Sequence, residues 1–363
     1  MHFVYNLEET YRNIVEAASL SGTKLIEMKK HYEAITNLLE NDSQFWGKYS
    51  ELIEIYEQGS VSLGTTIRPL GDDFDLDLVL QLNVCYEGYS SKSLLDELVR
   101  VFKDSSLYKD KLEVKNRCVR INYAGDFHMD ILPAMKRDNN PQSTAIMVPD
   151  RELKDWTPSN PKGFTNWFLT RAKNFQATED YRASLNTKEL LDEKPLKNTV
   201  KLLKIYRDEY YVDKNEDYKV PSIILTTLAG MAYQGSSTIT DTLDRFLNYL
   251  NTRLDEDEVL SIPNPVDSNE LFSERWENDE EIYNKFLAFK DDLISKVNEI
   301  KKEKNIFLRE SLIKSFVSSE KYSNGLENFS KKARNEAIRN KNFSGLRELA
   351  TPKTEFHRPY GGL

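Results

Sequence analysis

Two aspartates, Asp75 and Asp77, stand one residue apart in the apolar run Phe74-Asp-Leu-Asp-Leu-Val-Leu80, and the pair Gly59-Ser60 lies a short loop upstream. A strand has a side-chain period of two, so Asp75 and Asp77 share one face while Phe74, Leu76 and Leu78 share the other. Adjacent carboxylates repel unless a positive charge sits between them, and a divalent cation is a natural occupant. A Gly-Ser turn just ahead of such a strand offers backbone N–H groups and a hydroxyl to a phosphate. An Asp-x-Asp pair by itself is common on solvated turns. Here it interrupts Leu, Val and Phe, where a strand is ordinarily depleted in Asp. The combination describes a metal-dependent phosphoryl or nucleotidyl transfer site.

A third carboxylate follows. Arg117 to Tyr123 alternates like a strand, Ala124-Gly125-Asp126 reads as a tight turn, and Phe127 to Leu132 alternates back. The hairpin is expected beside the Asp75 strand in a mixed sheet. Phe127, Met129 and Ile131 would face the core, with His128 and Asp130 on the opposite face. Asp130 is the candidate third ligand. Mg²⁺ prefers oxygen donors and takes few protein carboxylates plus substrate phosphates, which three Asp and a triphosphate satisfy. In the two-metal scheme one ion activates the attacking hydroxyl and the other steadies the leaving group. His128 is a candidate for orienting the acceptor, with a structural or solvent role as its alternative.

Gly59-Ser60, Asp75-x-Asp77 and Asp130 resemble the polymerase-β-like nucleotidyltransferases. The longer string from Gln58 to Pro69, followed by Phe74 to Val79, resembles the bacterial cGAS/DncV-like nucleotidyltransferases, or CD-NTases. Segments Trp156 to Gly163 with Trp167-Phe168, and Ile262 to Val266 with Glu274-Arg-Trp276, resemble further family stretches. The resemblance runs from about Tyr5 to the C-terminus. It implies an α+β fold, a nucleotidyltransferase core with a mixed β-sheet plus a helical second lobe, with the active site in the cleft between. It implies a cyclic di- or trinucleotide second messenger made from NTPs, ATP among them, with two Mg²⁺ or Mn²⁺ ions, in anti-phage (CBASS) defence. It also implies a Lys on a helix of the second lobe and a later Ser at the donor triphosphate. Lys204 and Ser222 match best, with Lys201 as the rival one turn away, and Gly59 and Ser60 complete the nucleotide-binding set. Ile223 stands where animal relatives carry a base-stacking aromatic, which leaves that role open to Tyr206 or another tyrosine.

Composition bounds the alternatives. The chain has 363 residues, 39% hydrophobic and 30% charged, which suits a bilobed globular protein. No run of about eighteen apolar residues exists, so no membrane span is expected. The N-terminal residues lack a signal pattern, and only Cys85 and Cys118 are present, so a cytoplasmic protein without disulfides is expected. A net charge of −9 argues against a general grip on duplex nucleic acid. His2, His31, His128 and His357 are scattered, and no His/Cys cluster has zinc-ligand spacing, so duplex DNA sensing through zinc is not expected.

Along the chain, four segments are expected. Residues 1–44 form bracing helices, with helical periodicity from about Leu7 to Leu39. Residues 45–165 form the catalytic core, with a helix near Leu94 to Phe102 and Pro-rich turns from Pro133 to Pro161. Residues 166–350 are mainly helical, and include an amphipathic helix over Asp279 to Ile306. Residues 351–363 form a flexible tail. Two other functions compete with the synthase. An enzyme adding nucleotides to RNA ends or to a protein is the nearer, although an RNA-tailing enzyme should carry a basic face. A non-catalytic binding module is the farther. The tail end, Gly361-Gly362-Leu363, suits a ubiquitin-transfer-like CBASS partner, with an unstructured end as the alternative. Deleting Tyr360 to Leu363 is expected to abolish conjugation while basal synthesis persists; conjugation of the truncated chain in a pull-down would sink the idea.

Overall fold

The Asp75 run forms the long strand of a mixed sheet in the computed structural model, which describes residues 3–20, 22–68, 74–123, 127–173, 194–254 and 258–339. The sheet's strands are β1 (Ile53–Glu57), β2 (Phe74–Cys85), β3 (Leu112–Val114), β4 (Val119–Tyr123), β5 (Phe127–Lys136), β6 (Ile146–Asp150) and β7 (Asp155–Ser159). Their order is β1-β2-β5-β4-β3, with β6 paired to β5 and β7. Strands β2 and β5 run parallel, whereas β1 pairs antiparallel with β2 and β4 antiparallel with β5. A parallel pair cannot be joined by a tight turn, and residues 86–126 supply the crossover. The turn expected at Ala124 to Asp126, and the tail 351–363, lie outside the described residues.

The stretch Pro133 to Pro161, expected as turns, carries the end of β5 and all of β6 and β7. Prolines are tolerated there for a positional reason. Pro133 lies past the end of the β4 pairing, which stops at Ile131, and before the β6 pairing, which starts at Met135. Pro149 and Pro158 sit in the two-stranded extension formed by β6 and β7. Missing N–H groups cost least where one side of a strand carries no ladder.

Helices α1 (Leu7–Ala18), α2 (Gly22–Glu40), α3 (Gly59–Leu63), α4 (Ser91–Asp104) and α5 (Pro161–Lys173) belong to the first half of the chain. The second half holds α6 (Pro195–Tyr210), α7 (Ser222–Ala232), α8 (Ile239–Arg253), α9 (Glu274–Asn278), α10 (Glu280–Lys302), α11 (Ile306–Val317) and α12 (Ser319–Arg339), with the small hairpin β8 (Pro263–Asn264) and β9 (Asp267–Leu271). One core lies between the sheet and helices α2 and α4, built from Ile35, Leu39, Leu76, Leu78, Leu94, Leu98 and Phe102 among others. A second core fills the helical lobe around Leu203, Leu225, Phe246, Phe289 and Phe316. The stripe Phe286, Phe289, Leu293, Val297 and Ile300 of α10 is buried in this second core, as packing rather than as a partner surface. That helix ends at Lys302, short of Ile306, because Asn305 starts a new helix by accepting from the backbone N–H of Phe307 at 2.9 Å.

The periodic stretch from Leu7 to Leu39 is two helices rather than one. Ser19 is extended, pairs with Ile67 in an isolated bridge, and the Arg68 N–H donates to the Ala18 carbonyl at 2.7 Å. The break lets the two helices serve different cores. Tyr11, Ile14 and Val15 of α1 are buried in the helical lobe, while Ile35 and Leu39 of α2 are buried under the sheet. Buried Glu8 anchors α1 further by accepting from the N–H groups of Ile239 at 3.1 Å and Thr240 at 2.9 Å, at the start of α8. Two polar clamps tie β7 and the strand end to the small hairpin. Glu270 accepts from Ser159 Oγ at 2.7 Å and from the Asn160 N–H at 2.9 Å, and Arg137 donates to Asp267 at 2.7 Å.

Helix α12 closes on α1 through Gly325. A Cβ there would stand 2.6 Å from Ile14 Cγ1 and 2.9 Å from Ile14 Cα, so the two backbones approach only because this side chain is absent. Gly325→Val is expected to force the helices apart at a cost of about 1–3 kcal/mol. The check is thermal unfolding: a melting temperature equal to wild type would show that the contact yields freely.

Candidate active site

Register places the acids. Across the parallel pair, Asp77 lies opposite Asp130 and Asp75 opposite His128. Across the antiparallel pair, Arg120 lies opposite Asp130. All five side chains therefore emerge on one face, while Leu76, Leu78, Met129 and Ile131 are buried on the other. Positions directly opposite in a sheet hold their Cβ atoms about 5 Å apart, which makes Asp77 and Asp130 close neighbours.

The strand β1 to α3 connection fits against this pair. The Gln58 N–H donates to the Asp77 carbonyl at 2.9 Å. Gly59 has φ +60°, and a Cβ on it would stand 2.5 Å from Asp77 Oδ2. Both the left-handed backbone and the approaching carboxylate exclude a side chain there. Ser60 follows, and its Oγ accepts from Thr66 Oγ1 at 3.1 Å. Thus Gly59 and Ser60 stand beside the acids because the loop turns over Asp77.

Above this face lies a cavity of about 310 Å³. Gly59, Ser60, Thr66, Asp75 and Asp77 line it from the sheet side, and Lys204, Arg207, Asp208, Ser222, Ile223 and Thr226 line it from helices α6 and α7. Lys204 is buried and donates to the Thr65 carbonyl at 3.1 Å. Burial, aided by the nearby Arg207 charge, pulls its ammonium down to about 8. Lys201 points elsewhere: its ammonium meets Ser19 Oγ at 2.9 Å, and it does not line the cavity. Of the two rival lysines, only Lys204 joins the other candidates. Asp130 is also set back from the cavity lining, held to Arg120 as described below.

The fold adds two candidates that no motif marks, Arg207 and Arg120. Arg207 donates to Ser222 Oγ, to the Val220 carbonyl at 3.3 Å, and to Asp208 Oδ1 through Nη2 at 2.7 Å. Its spacing of three from Lys204 on one helix was the available signal, since such residues share a face. Arg120 is the second, and its alternation with the strand hinted at the acid face. Tyr206, a suggested base platform, is instead buried in the helical core, where its ring stacks on Phe316 at 4.8 Å. Ile223 is the apolar residue that lines the cavity at that end.

Electrostatics mark Asp77. Its carboxyl is pushed up to about 7, first by burial and then by the charges of Asp130 and Asp75, against the pull of Lys204 and Arg120. Arg120 grips Asp130 with both forks, Nε to Oδ1 and Nη2 to Oδ2, each at 2.7 Å, and also lies 3.2 Å from Asp75 Oδ1. Among the described residues no three acids or imidazoles close on one point as a finished metal cage. The donor set nevertheless fits a hard cation. It offers three carboxylates on one face, with a guanidinium already standing in as the positive charge between two of them.

Comparison with known proteins narrows the chemistry. Residues 5–174 match the Second Messenger Oligonucleotide or Dinucleotide Synthetase domain. A c-di-GMP synthase of Roseivirga ehrenbergii is 34% identical over 354 residues, which cover 95% of this chain and 92% of that protein. The chain belongs to the bacterial CD-NTases. A second relative, the cyclic dinucleotide synthase CdnG of Bradyrhizobium diazoefficiens, is 25% identical over 277 residues, 68% of this chain and 64% of that protein. The structure of the B. diazoefficiens CD-NTase CdnG in complex with GTP aligns with a TM-score of 0.71 at 18% identity, covering 89% of this chain and 99% of that one. The E. coli MS115-1 CdnC:HORMA-deltaN complex aligns with a TM-score of 0.63 at 14% identity, covering 86% and 97%. The fold is thus the polymerase-β-like α+β architecture expected from the motif. This CD-NTase is a nucleotidyltransferase that makes a cyclic oligonucleotide from NTPs. No helix among the described residues is long and apolar enough to cross a membrane.

The Asp77 shift has a thermodynamic consequence. An acid raised from its ordinary 3.8 to about 7 binds more protons folded than unfolded across that window. Stability therefore falls as pH rises through it. Asp77→Asn removes the effect. Without divalent cations, the melting temperature of this variant should exceed that of wild type by a margin that widens from pH 5 to pH 8; a constant margin would overturn the assignment.

Proposed function

We propose that this CD-NTase makes c-di-GMP from two GTP with release of two pyrophosphates, in anti-phage defence. Support for the product comes from the relative that is 34% identical along nearly the whole chain and is a c-di-GMP synthase. The observation that carries the site is the register pairing of Asp77 with Asp130 beneath Gly59, with Lys204 opposite in one cavity.

In this reading Asp75, Asp77 and Asp130 hold Mg²⁺ or Mn²⁺, two ions during turnover, and these supply activation of the acceptor hydroxyl and charge neutralisation on the phosphates. Ser60 and the backbone around Gly59 bind the donor phosphates from one side. Lys204, Arg207 and Ser222 bind them from the other, with Asp208 holding the Arg207 guanidinium in place. The acceptor hydroxyl attacks the α-phosphorus and pyrophosphate leaves in line; after the linear intermediate is repositioned, a second attack closes the ring. No protein nucleophile is needed, since positioning and electrostatic stabilisation carry such reactions. His128, opposite Asp75, lies on the face from which an acceptor would be oriented. A ubiquitin-transfer-like partner acting on the C-terminal tail belongs to the same reading. So does the division into bracing helices, catalytic core, helical lobe and tail; the sheet core and the helical core support only its split between catalytic core and helical lobe.

The test is incubation with each NTP and with all four, in Mg²⁺ and in Mn²⁺, followed by phosphatase and mass spectrometry. A phosphatase-resistant c-di-GMP is expected from GTP alone, reduced at least about a hundredfold in Asp75→Ala/Asp77→Ala. A cyclic product with another base would overturn the GTP assignment. Linear product only would favour nucleotide addition to RNA ends or to a protein.

A further inference from the structure

Three carboxylates on adjoining register positions are unstable neighbours, and the structure shows what holds them. The Arg120 guanidinium reaches across from β4, fixed by its fork on Asp130 and touching Asp75 with the same Nη2. We infer that Arg120 is a latch on the metal site: it bridges Asp130 and Asp75 before a divalent cation arrives, and it competes with that cation for Asp75.

The two halves of the bridge are unequal, and the inequality says which one opens. The Asp130 half is bidentate at 2.7 Å and its carboxylate is only 17% exposed. The Asp75 half is a single 3.2 Å contact to a carboxylate that is 56% exposed. Paired fork contacts of this kind are strong and directional, while a single exposed ion pair contributes little and yields readily. A carboxylate oxygen has two lone pairs, so Asp130 can keep the Arg120 fork and still offer a donor to a cation. Asp75 lines the cavity and Asp130 does not, so the contact that yields is also the one facing the ligand. Arg120 is therefore a positioning residue with two effects. It orients Asp130, and its positive charge lowers the affinity of the nucleotide-free site for metal. Empty enzyme would stay metal-poor until a triphosphate brings its own negative charge. The inference rests on the metal reading given above.

The experiment measures Mn²⁺ binding to nucleotide-free protein by electron paramagnetic resonance, alongside thermal melts with and without Mn²⁺. Arg120→Gln removes the competing charge. It should bind Mn²⁺ about tenfold more tightly than wild type, as expected when one unit charge near the ion is deleted. Its metal-free melting temperature should fall below wild type, and Mn²⁺ should recover more of it than it adds to wild type. Arg120→Lys keeps the charge without the fork and should bind with intermediate affinity, which preserves the test if the Gln variant does not fold. Equal or weaker Mn²⁺ affinity in both variants would overturn the latch. If Asp75→Ala/Asp77→Ala binds Mn²⁺ as well as wild type, the metal reading itself fails and the latch with it. That outcome is distinct, because it is read on the acids and not on Arg120.

Discussion

Repulsion among Asp75, Asp77 and Asp130 is the constraint around which this molecule is arranged. Two of these acids face each other across a parallel strand pair and the third stands one pleat away. Negative charges so close, above an apolar sheet, need positive charge brought to them. The fold brings it from two directions. Arg120 comes along the sheet from β4, and Lys204 and Arg207 come from α6 in the other lobe. Asp77 carries the result: burial first, and then the charges of Asp130 and Asp75, push its carboxyl up against the pull of Lys204 and Arg120.

Holding cations of one lobe over acids of the other requires fixed lobes. The break at Ser19 is central to this, since it gives the helical core α1 and the sheet core α2. The same junction grips the loop that lines the cavity: Ser19 pairs with Ile67, Arg68 bonds to Ala18, and Lys204 bonds to Thr65. Lys321 of α12 donates to the Arg68 carbonyl at 2.9 Å and adds a further hold. The loop 64–68, whose Thr65, Thr66 and Ile67 line the cavity, is thus pinned by three helices. Such pinning sets in advance the geometry on which electrostatic catalysis relies.

Legibility in the sequence followed physical range. That Asp75 and Asp77 share a face is legible because strand period is local, and the same period puts Asp130 on one face of its own strand; its place opposite Asp77 comes from the parallel pairing of β2 with β5, which no local spacing dictates. The helix carrying Lys204 was readable, but not which lysine of two faces the cavity, because that depends on how α6 rotates against α1. The misread region 133–161 had a different cause. Its prolines signal turns locally, yet they are accommodated where strand pairing is one-sided. Tyr206 failed as a base platform because an aromatic on an amphipathic helix is as suited to core as to ligand, and here Phe316 and Phe289 claim it.

By itself the sequence determined the chemistry available: three oxygen-donor acids, a glycine-serine turn, a basic helix and a net charge of −9. Only the tertiary structure decided the partnerships. It set Asp77 against Gly59, Asp130 against Arg120, Lys204 rather than Lys201 over the cavity, and Arg207 on Ser222. The reason is that spacing along a chain fixes which face a residue occupies, whereas register across a sheet and packing between helices fix what that face meets.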